Sequence, residues 1–298
     1  MKLAHRVEGA AARVALHVLR ALGPVRASNL GGGVARAIGP LLPVSRVAHV
    51  NLQMALPALD RAARRAIVRG VWDNLGRTVG ELPHVGALRE TAAGPGWELA
   101  GGAHLDALTR HGGPGILVSG HIGNWEVVPL ATATRGGGFA TFYRAADNPL
   151  IDRIVLGLRR EAIGADGKLF AKGPQGARQA LVHLKHGGYL GFLNDQKMND
   201  GIESRFFGRP AATAPALAVL ALRLRCPVVP TYAQRLAPAR FRVTFEAPIP
   251  LPDTGDRAAD VAALTQAVND RLEAWIRARP ESWLWLHRRW PKQDYAAL

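Results

Sequence analysis

The apolar and polar positions follow one rhythm up to about residue 100 and another from Gly115 onward. Between Asp60 and Glu81, Ile67, Val71, Leu75 and Val79 recur every four residues, the spacing of a buried helical stripe. The first hundred residues read as helical. From Gly115 short apolar runs alternate with amphipathic stretches. Strands are predicted over Ile116–Ser119, Phe139–Tyr143, Lys168–Phe170, Tyr189–Leu193, Val228–Tyr232 and Arg242–Phe245, with helices over 125–135, 149–163, 174–187 and 213–224. A last helix is predicted over Asp256–Arg279, stopped by Pro280. This alternation implies an α/β fold: a mixed, largely parallel central sheet flanked by helices, with a helical N-terminal region. Gly31–Gly33 and Gly136–Gly138 read as turns, and no internal repeat is visible.

The N-terminus carries a separate pattern. Leu3, Val7, Ala10, Val14, Leu16, Val18 and Leu19 form an apolar series among Lys2, Arg6, Arg13 and Arg20. Arg13 breaks the unbroken apolar segment that a signal peptide needs. The series fits a basic amphipathic helix lying on a membrane surface, or an ordinary first helix packed on the domain. The expected organisation is therefore an amphipathic helix over 1–30 and a single α/β domain over 31–298. No stretch reaches the 18 uncharged residues of a membrane span. The longest candidate, Pro210–Leu222, reads as a buried helix.

Charge adds one constraint. The 298 residues carry 38 basic and 23 acidic side chains, a net charge of +15, and only six of the cations are lysine. An arginine-rich surface favours anionic partners: nucleic acid, an anionic membrane or an acidic carrier. The single cysteine, Cys226, excludes a disulfide framework and any multi-cysteine zinc site. An apolar content of 48% excludes a disordered chain.

Candidate chemistry concentrates in GILVSGHIGNWEV, residues 115–127. A buried strand runs into Ser119, Gly120 and His121, with a helix beginning near Asn124. Open α/β sheets place ligands at such carboxyl ends of strands. His121 and Glu126 would point apart on a continuous helix, and they meet only if the segment between them turns, which Gly120 and Gly123 permit. A histidine held by a carboxylate is a general base with a fixed tautomer. Ser119 lacks the flanking glycines of a nucleophile elbow, and Cys226 reads as a packed residue. A base without a protein nucleophile implies direct activation of a substrate hydroxyl against an activated acyl group. Backbone N–H groups around Gly123–Asn124 are the expected oxyanion donors.

Two other classes compete. A metal-dependent hydrolase would draw on His183 and His186, or on His104 and His111, but no recognised ligand spacing joins them. A nucleic-acid-binding protein would use the arginine excess with Trp283, Trp285, His287, Arg288, Arg289 and Trp290; no nucleic-acid fold signature accompanies them.

Six segments in order carry a family resemblance: HVNLQMALP, GHIGNWEV, FATFYRAADNP, LNDQKMNDGIESRFFGRPAAT, PVVPTY and WLWLHRRWPK. Over Val50–Lys292 the chain resembles the bacterial lipid A late acyltransferases of the lauroyl/myristoyl type, within the lysophospholipid acyltransferase superfamily. The resemblance implies that His121 and Glu126 are the catalytic H-x4-D/E pair. It further implies that Arg144 holds an acceptor phosphate, that Asn124, Asp195 and Gln196 contribute to substrate binding, and that Phe206–Gly208 serve packing or the acyl chain. The implied activity is O-acyl transfer from an acyl carrier protein thioester to a hydroxyl of a glucosamine-based, anionic glycolipid. The implied place is the cytoplasmic face of the bacterial inner membrane, peripheral or weakly anchored, with no metal or organic cofactor. Within the same family, acylation of a phosphatidylinositol mannoside from acyl-CoA is the alternative.

Overall fold

A computed structural model describes residues 2–136, 138–164 and 166–296. Three helices open the chain: α1 (Leu3–Ile38), α2 (Ser45–Ala55) and α3 (Arg61–Glu81). The α/β region continues through β1 (Gly96–Ala100), α4 (Gly102–Arg110), β2 (Gly115–Ser119), α5 (Val127–Ala133), β3 (Phe139–Tyr143) and α6 (Pro149–Ile163). It is completed by β4 (Lys168–Ala171), α7 (Pro174–Lys185), β5 (Tyr189–Leu193), β6 (Ile202–Phe206), β7 (Arg209–Thr213), α8 (Ala216–Leu224), β8 (Val228–Ala237), β9 (Arg240–Phe245) and α9 (Arg257–Ala278).

The main sheet has the order β1-β9-β8-β2-β5-β3-β4. Every neighbouring pair is parallel except β8 and β9, which are antiparallel. The expected α/β architecture is therefore present. Parallel strands are buried on both faces, and β2 is buried along its whole length. Ile116 and Val118 face a core built with Ala180 and Leu184 of α7, Ala218 of α8 and Leu272 of α9. Leu117 faces the second core, with Leu105 of α4, Val128 of α5 and Ala162 of α6. Because β2, β5, β3 and β4 run in one direction, the loops leaving their carboxyl ends share one edge of the sheet.

Helix ends follow sequence chemistry. Asp60 caps α3 through Ala63 N–H, Asn148 caps α6 through Leu150 N–H ahead of Pro149, and Asp256 caps α9 through Ala258 and Ala259. Three expectations change, the first being that the opening hundred residues are all helical, since Gly96–Ala100 forms β1. Gly31–Gly33 do not form a turn but lie inside α1, which continues past residue 30 to Ile38 and bends instead at Gly23 and Pro24. These glycines are there for contact: a Cβ at Gly31 would lie 2.2 Å from the Gly76 carbonyl oxygen of α3. Pro210–Leu222 is not one helix, because Arg209–Thr213 pairs with β6 and Pro215 starts α8. The β6–β7 hairpin turns at Phe207 and Gly208, both with positive φ, the signature of a tight two-residue turn. Gly137, within the second predicted turn, lies outside the described residues. Among the described residues no helix is long and apolar enough to cross a membrane.

Candidate active site

The site begins at the carboxyl end of β2. Gly120 has room for no side chain without pressing on Leu272 and Asp195. Gly123 turns the chain with φ of +58°, and a Cβ there would sit 1.8 Å from the Ala233 carbonyl oxygen of β8. Both glycines are thus fixed by close approach. Between them His121 leaves the sheet next to the end of β5, the adjacent parallel strand, where Asn194 and Asp195 follow Leu193.

This register joins His121 to Asp195. The His121 backbone N–H donates to Asp195 Oδ2 at 2.9 Å, and the ring Nδ1 lies 2.8 Å from Oδ1. Asp195 is fully buried. Burial alone would raise its pKa, but the charge and hydrogen bonds of His121, with the charge of His287, hold the carboxyl well below the usual carboxylate range. An ionised carboxylate only accepts, so Nδ1 carries the proton and Nε2 is the basic nitrogen. Nε2 has no hydrogen-bond partner among the described residues, and the imidazole keeps 17% exposure. The Trp125 ring stands edge-on to it at 5.1 Å.

The carboxylate beside His121 is therefore Asp195, where the sequence reading placed Glu126. Glu126 sits at the N-terminal boundary of α5 and turns toward α6. Arg159 grips it through two bonds, Nε to Oε2 at 2.9 Å and Nη2 to Oε1 at 2.5 Å, and Trp125 Nε1 donates to it at 3.2 Å. The turn at Gly123 separates the two side chains. No hydrogen bond joins them among the described residues. Arg159 was not singled out by sequence; its spacing of 33 residues from Glu126 follows no local pattern, and only the packing of α5 on α6 brings them together.

The remaining candidates divide. Asn124 is fully buried, donates to Glu81 Oε2 at 2.8 Å and accepts from Glu126 N–H. Its side chain is spent on the protein. Arg144 follows β3 at the same sheet edge and is exposed, while Gln196 is half-buried beside Asp195. The Gly123 N–H donates to the Ser282 carbonyl at 2.9 Å, so it is unavailable as the expected oxyanion donor.

A narrow apolar pocket of about 60 Å³ opens beside the loop. Its walls include Leu117, Val128, Phe139, Phe142, Ile163 and Phe192, with Ser119, Trp125, Glu126 and Arg159 as its polar neighbours. Arg159 is the one cation among its described lining residues.

The C-terminal segment closes the site from the other side. Trp283, Trp285, Arg289 and Trp290 are fully buried, so those side chains are not displayed for stacking on nucleic acid. Leu284 N–H donates to the His121 carbonyl at 3.0 Å, and Trp283 Nε1 donates to Asp195 Oδ2 at 2.7 Å. Asn51 of α2 holds the same segment through the Trp285 and His287 carbonyls. Arg289 bonds the Ala212 carbonyl and Thr213 of β7, lies over the Phe206 ring and is pushed down by burial to about 10. The segments HVNLQMALP and WLWLHRRWPK thus clamp the His121 loop.

The chemistry left over is inert. Burial pushes the Cys226 thiol up to about 11, which removes it as a nucleophile. His183 Nε2 lies within 2.9 Å of the Gly138 carbonyl. Among the described residues no group of three or more His, Cys, Asp or Glu is arranged to hold a metal ion.

The resemblance implied a His121–Glu126 pair; the structure instead sets His121 on the buried Asp195 carboxylate, in the loop that borders the apolar pocket. Residues 7–292 match the family model of the bacterial lipid A biosynthesis acyltransferases. The chain belongs to that family. The phosphatidylinositol mannoside acyltransferase of Mycobacterium tuberculosis (strain CDC 1551 / Oshkosh) is 27% identical over 191 residues, 63% of this chain and 58% of that protein. The lipid A biosynthesis myristoyltransferase of Escherichia coli K12 is 23% identical over 245 residues, 81% of this chain and 73% of that protein. Lipid A biosynthesis acyltransferase 1 of Shigella flexneri is 24% identical over 247 residues, with the same coverage. The match thus spans less than two thirds of the mycobacterial relative.

Proposed function

We propose that this protein transfers a fatty acyl chain from an acyl carrier protein thioester to a hydroxyl of a glucosamine-based lipid A precursor. The observation that carries this reading is His121 Nδ1 on the buried Asp195 carboxylate, next to the apolar pocket. The apolar pocket is where the acyl chain enters the protein. His121 Nε2 removes the proton from the acceptor hydroxyl, whose oxygen attacks the thioester carbonyl carbon. Asp195 stabilises the imidazolium that forms. The tetrahedral intermediate then expels the carrier thiolate, which takes the proton back from His121. Glu126 belongs to this machinery through Arg159, whose guanidinium it holds in the pocket wall. Gly123 N–H is spent on Ser282, and Arg159 in the pocket wall is the proposed partner for the developing oxyanion charge.

Arg144 is the cation proposed for an acceptor phosphate, supported by its exposure at the same sheet edge. Gln196 is the neighbouring polar contact, and Asn124 serves substrate by shaping the loop. The net charge of +15 suits both an acidic carrier and an anionic glycolipid. Peripheral attachment at the cytoplasmic face of the inner membrane is supported by α1, which exposes Leu3, Val7, Val14 and Val18 beside Arg6 and Arg13.

The test is transfer of radiolabelled acyl groups from carrier protein to a tetra-acylated lipid A precursor, comparing wild type with His121→Ala. Transfer lost by at least about 100-fold in the variant supports the reading, and equal transfer by both removes His121 from it. The 27% identity to the mannoside acyltransferase favours one alternative, acyl-CoA with a mannosylated inositol lipid. Transfer with that pair and none to lipid A would establish it.

A further inference from the structure

We infer that Trp283 is a positioning residue for the His121–Asp195 pair, its indole N–H holding the carboxylate in the orientation and basicity that the base requires. The inference rests on the assignment of His121 as the base. Asp195 has no access to water, so every stabilising donor must come from the protein. Two of its bonds come from His121 itself, the backbone N–H and Nδ1–H. The third, from Trp283 Nε1 at 2.7 Å, is independent of the group that titrates. Those three are the only hydrogen-bond donors to this carboxylate among the described residues.

The donor is also rigid. Trp283 is fully buried, edge-on to Trp285 with centroids 4.6 Å apart and tilted on Phe206 at 5.7 Å. Its neighbours in the chain grip the catalytic loop, through Leu284 N–H to the His121 carbonyl and Gly123 N–H to the Ser282 carbonyl. A single segment thus fixes the backbone of the base and the rotamer of its carboxylate. The charged or titratable groups facing this pair are His287 and Arg289, both from the same segment. Both ring nitrogens of His287 are buried without a partner among the described residues, and burial keeps this imidazole below its ordinary value. The indole N–H, neutral at every working pH, is therefore the constant donor.

Removing that N–H concentrates the carboxylate's charge on His121, so the imidazolium is favoured and the neutral base appears at higher pH. Trp283→Phe keeps an aromatic ring and deletes the donor. Measured in the full-length protein, we expect kcat to fall roughly tenfold, with KM for donor and acceptor unchanged. The acid limb of the kcat/KM profile should rise by roughly half a unit. A limb that stays in place overturns the inference, whatever happens to kcat, because a purely packing role does not move it. Should Trp283→Phe fail to fold, fluorotryptophan incorporated into the wild-type sequence makes the indole a stronger donor, and the limb should then fall. An unmoved limb overturns the inference there too. The low-field proton NMR signal of His121 Nδ1–H gives a readout without turnover, and it should shift in Trp283→Phe. If His121→Ala transfers normally, the assignment of the base fails, while an unshifted Nδ1–H signal defeats the role of Trp283.

Discussion

Glu81, fully buried at the end of α3, accepts a 2.8 Å hydrogen bond from Asn124 Nδ2 in the loop that carries His121. The same carboxylate accepts from Ser28 of α1 at 2.6 Å and from Ala239 N–H at 3.0 Å, and it pairs with Arg235 of β8. One carboxylate thus ties the N-terminal helices, the loop and the sheet together. Such a pair says little about net stability, but breaking it leaves a buried charge uncompensated. Glu81→Ala should destabilise the protein by about 3–5 kcal/mol in urea denaturation. Glu81→Gln keeps a partner for Asn124 and should cost less. Equal stability of wild type and Glu81→Ala would remove this network from the account of the fold.

Asp195→Asn tests the carboxylate on His121. It preserves shape but offers the imidazole an uncharged partner able to present N–H instead of oxygen, which permits the wrong tautomer. Turnover should fall by at least about 100-fold with the fold intact. The pair also links to pH. The folded pKa of Asp195 lies below its unfolded value, so its contribution to stability is fully present above about pH 4 and fades as pH falls toward the folded value. Wild type should therefore lose stability below about pH 4 more steeply than Asp195→Asn. Parallel curves for the two proteins would contradict the assignment.

The legible and illegible parts of this chain divide by sequence distance. The β2–His121–Gly123 segment was readable because a buried strand, two glycines and a histidine are local signals. So were β2, β3, β4, β5, β8, β9 and α9, whose patterns are complete within ten to twenty residues, whereas β1 fell in the stretch read as helical. The partner of His121 was not. Asp195 lies 74 residues away, on a strand that only sheet order places beside β2, and Glu126 was the nearer carboxylate in sequence. Gly31–Gly33 misled for a related reason: glycine serves turns and close helix contacts alike, and Gly76 supplies the difference only in three dimensions. The tryptophan-rich tail entered only as what a competing nucleic-acid reading would use, and composition does not report the burial of Trp283, Trp285 and Trp290 that removes it.

The glycine contacts make their own prediction. Gly31→Ala and Gly76→Ala each set a methyl group 2.2 Å from a backbone carbonyl of the facing helix. The overpacking should cost roughly 1–3 kcal/mol each, measured by thermal or urea unfolding. Gly33, with nothing within 4 Å of its added Cβ, is the control. Gly33→Ala should be neutral or slightly stabilising, since alanine favours the helix. The same penalty at all three positions would mean that helix contact is not what the glycines provide.

Membrane attachment through α1 is tested by placing acidic charge on its exposed apolar stripe. Val7→Asp, Val14→Asp and Val18→Asp combined place three carboxylates on the exposed apolar stripe that Arg6 and Arg13 flank. Sedimentation with anionic phospholipid vesicles should retain wild type and release the triple variant. Transfer to a detergent-dispersed acceptor should remain near normal in both, because the stripe lies outside the pocket and the His121 loop. Equal vesicle binding would place the membrane contact elsewhere on the protein.

Chain-length selection follows from the pocket walls. Ala162 of α6 is a small residue in a lining otherwise rich in phenylalanine, leucine and valine. Ala162→Phe fills space that the methyl end of an acyl chain would take, whereas Phe139→Ala on β3 opens it. Each methylene that loses or gains burial changes transfer by about 0.8 kcal/mol, roughly fourfold in kcat/KM. A competition between acyl donors of ten to sixteen carbons should shift toward shorter chains in Ala162→Phe and toward longer ones in Phe139→Ala. Unfolding measurements on both variants separate selectivity from simple loss of protein, since Phe139→Ala removes core packing as well. If both variants keep the wild-type preference, the acyl chain lies outside this pocket.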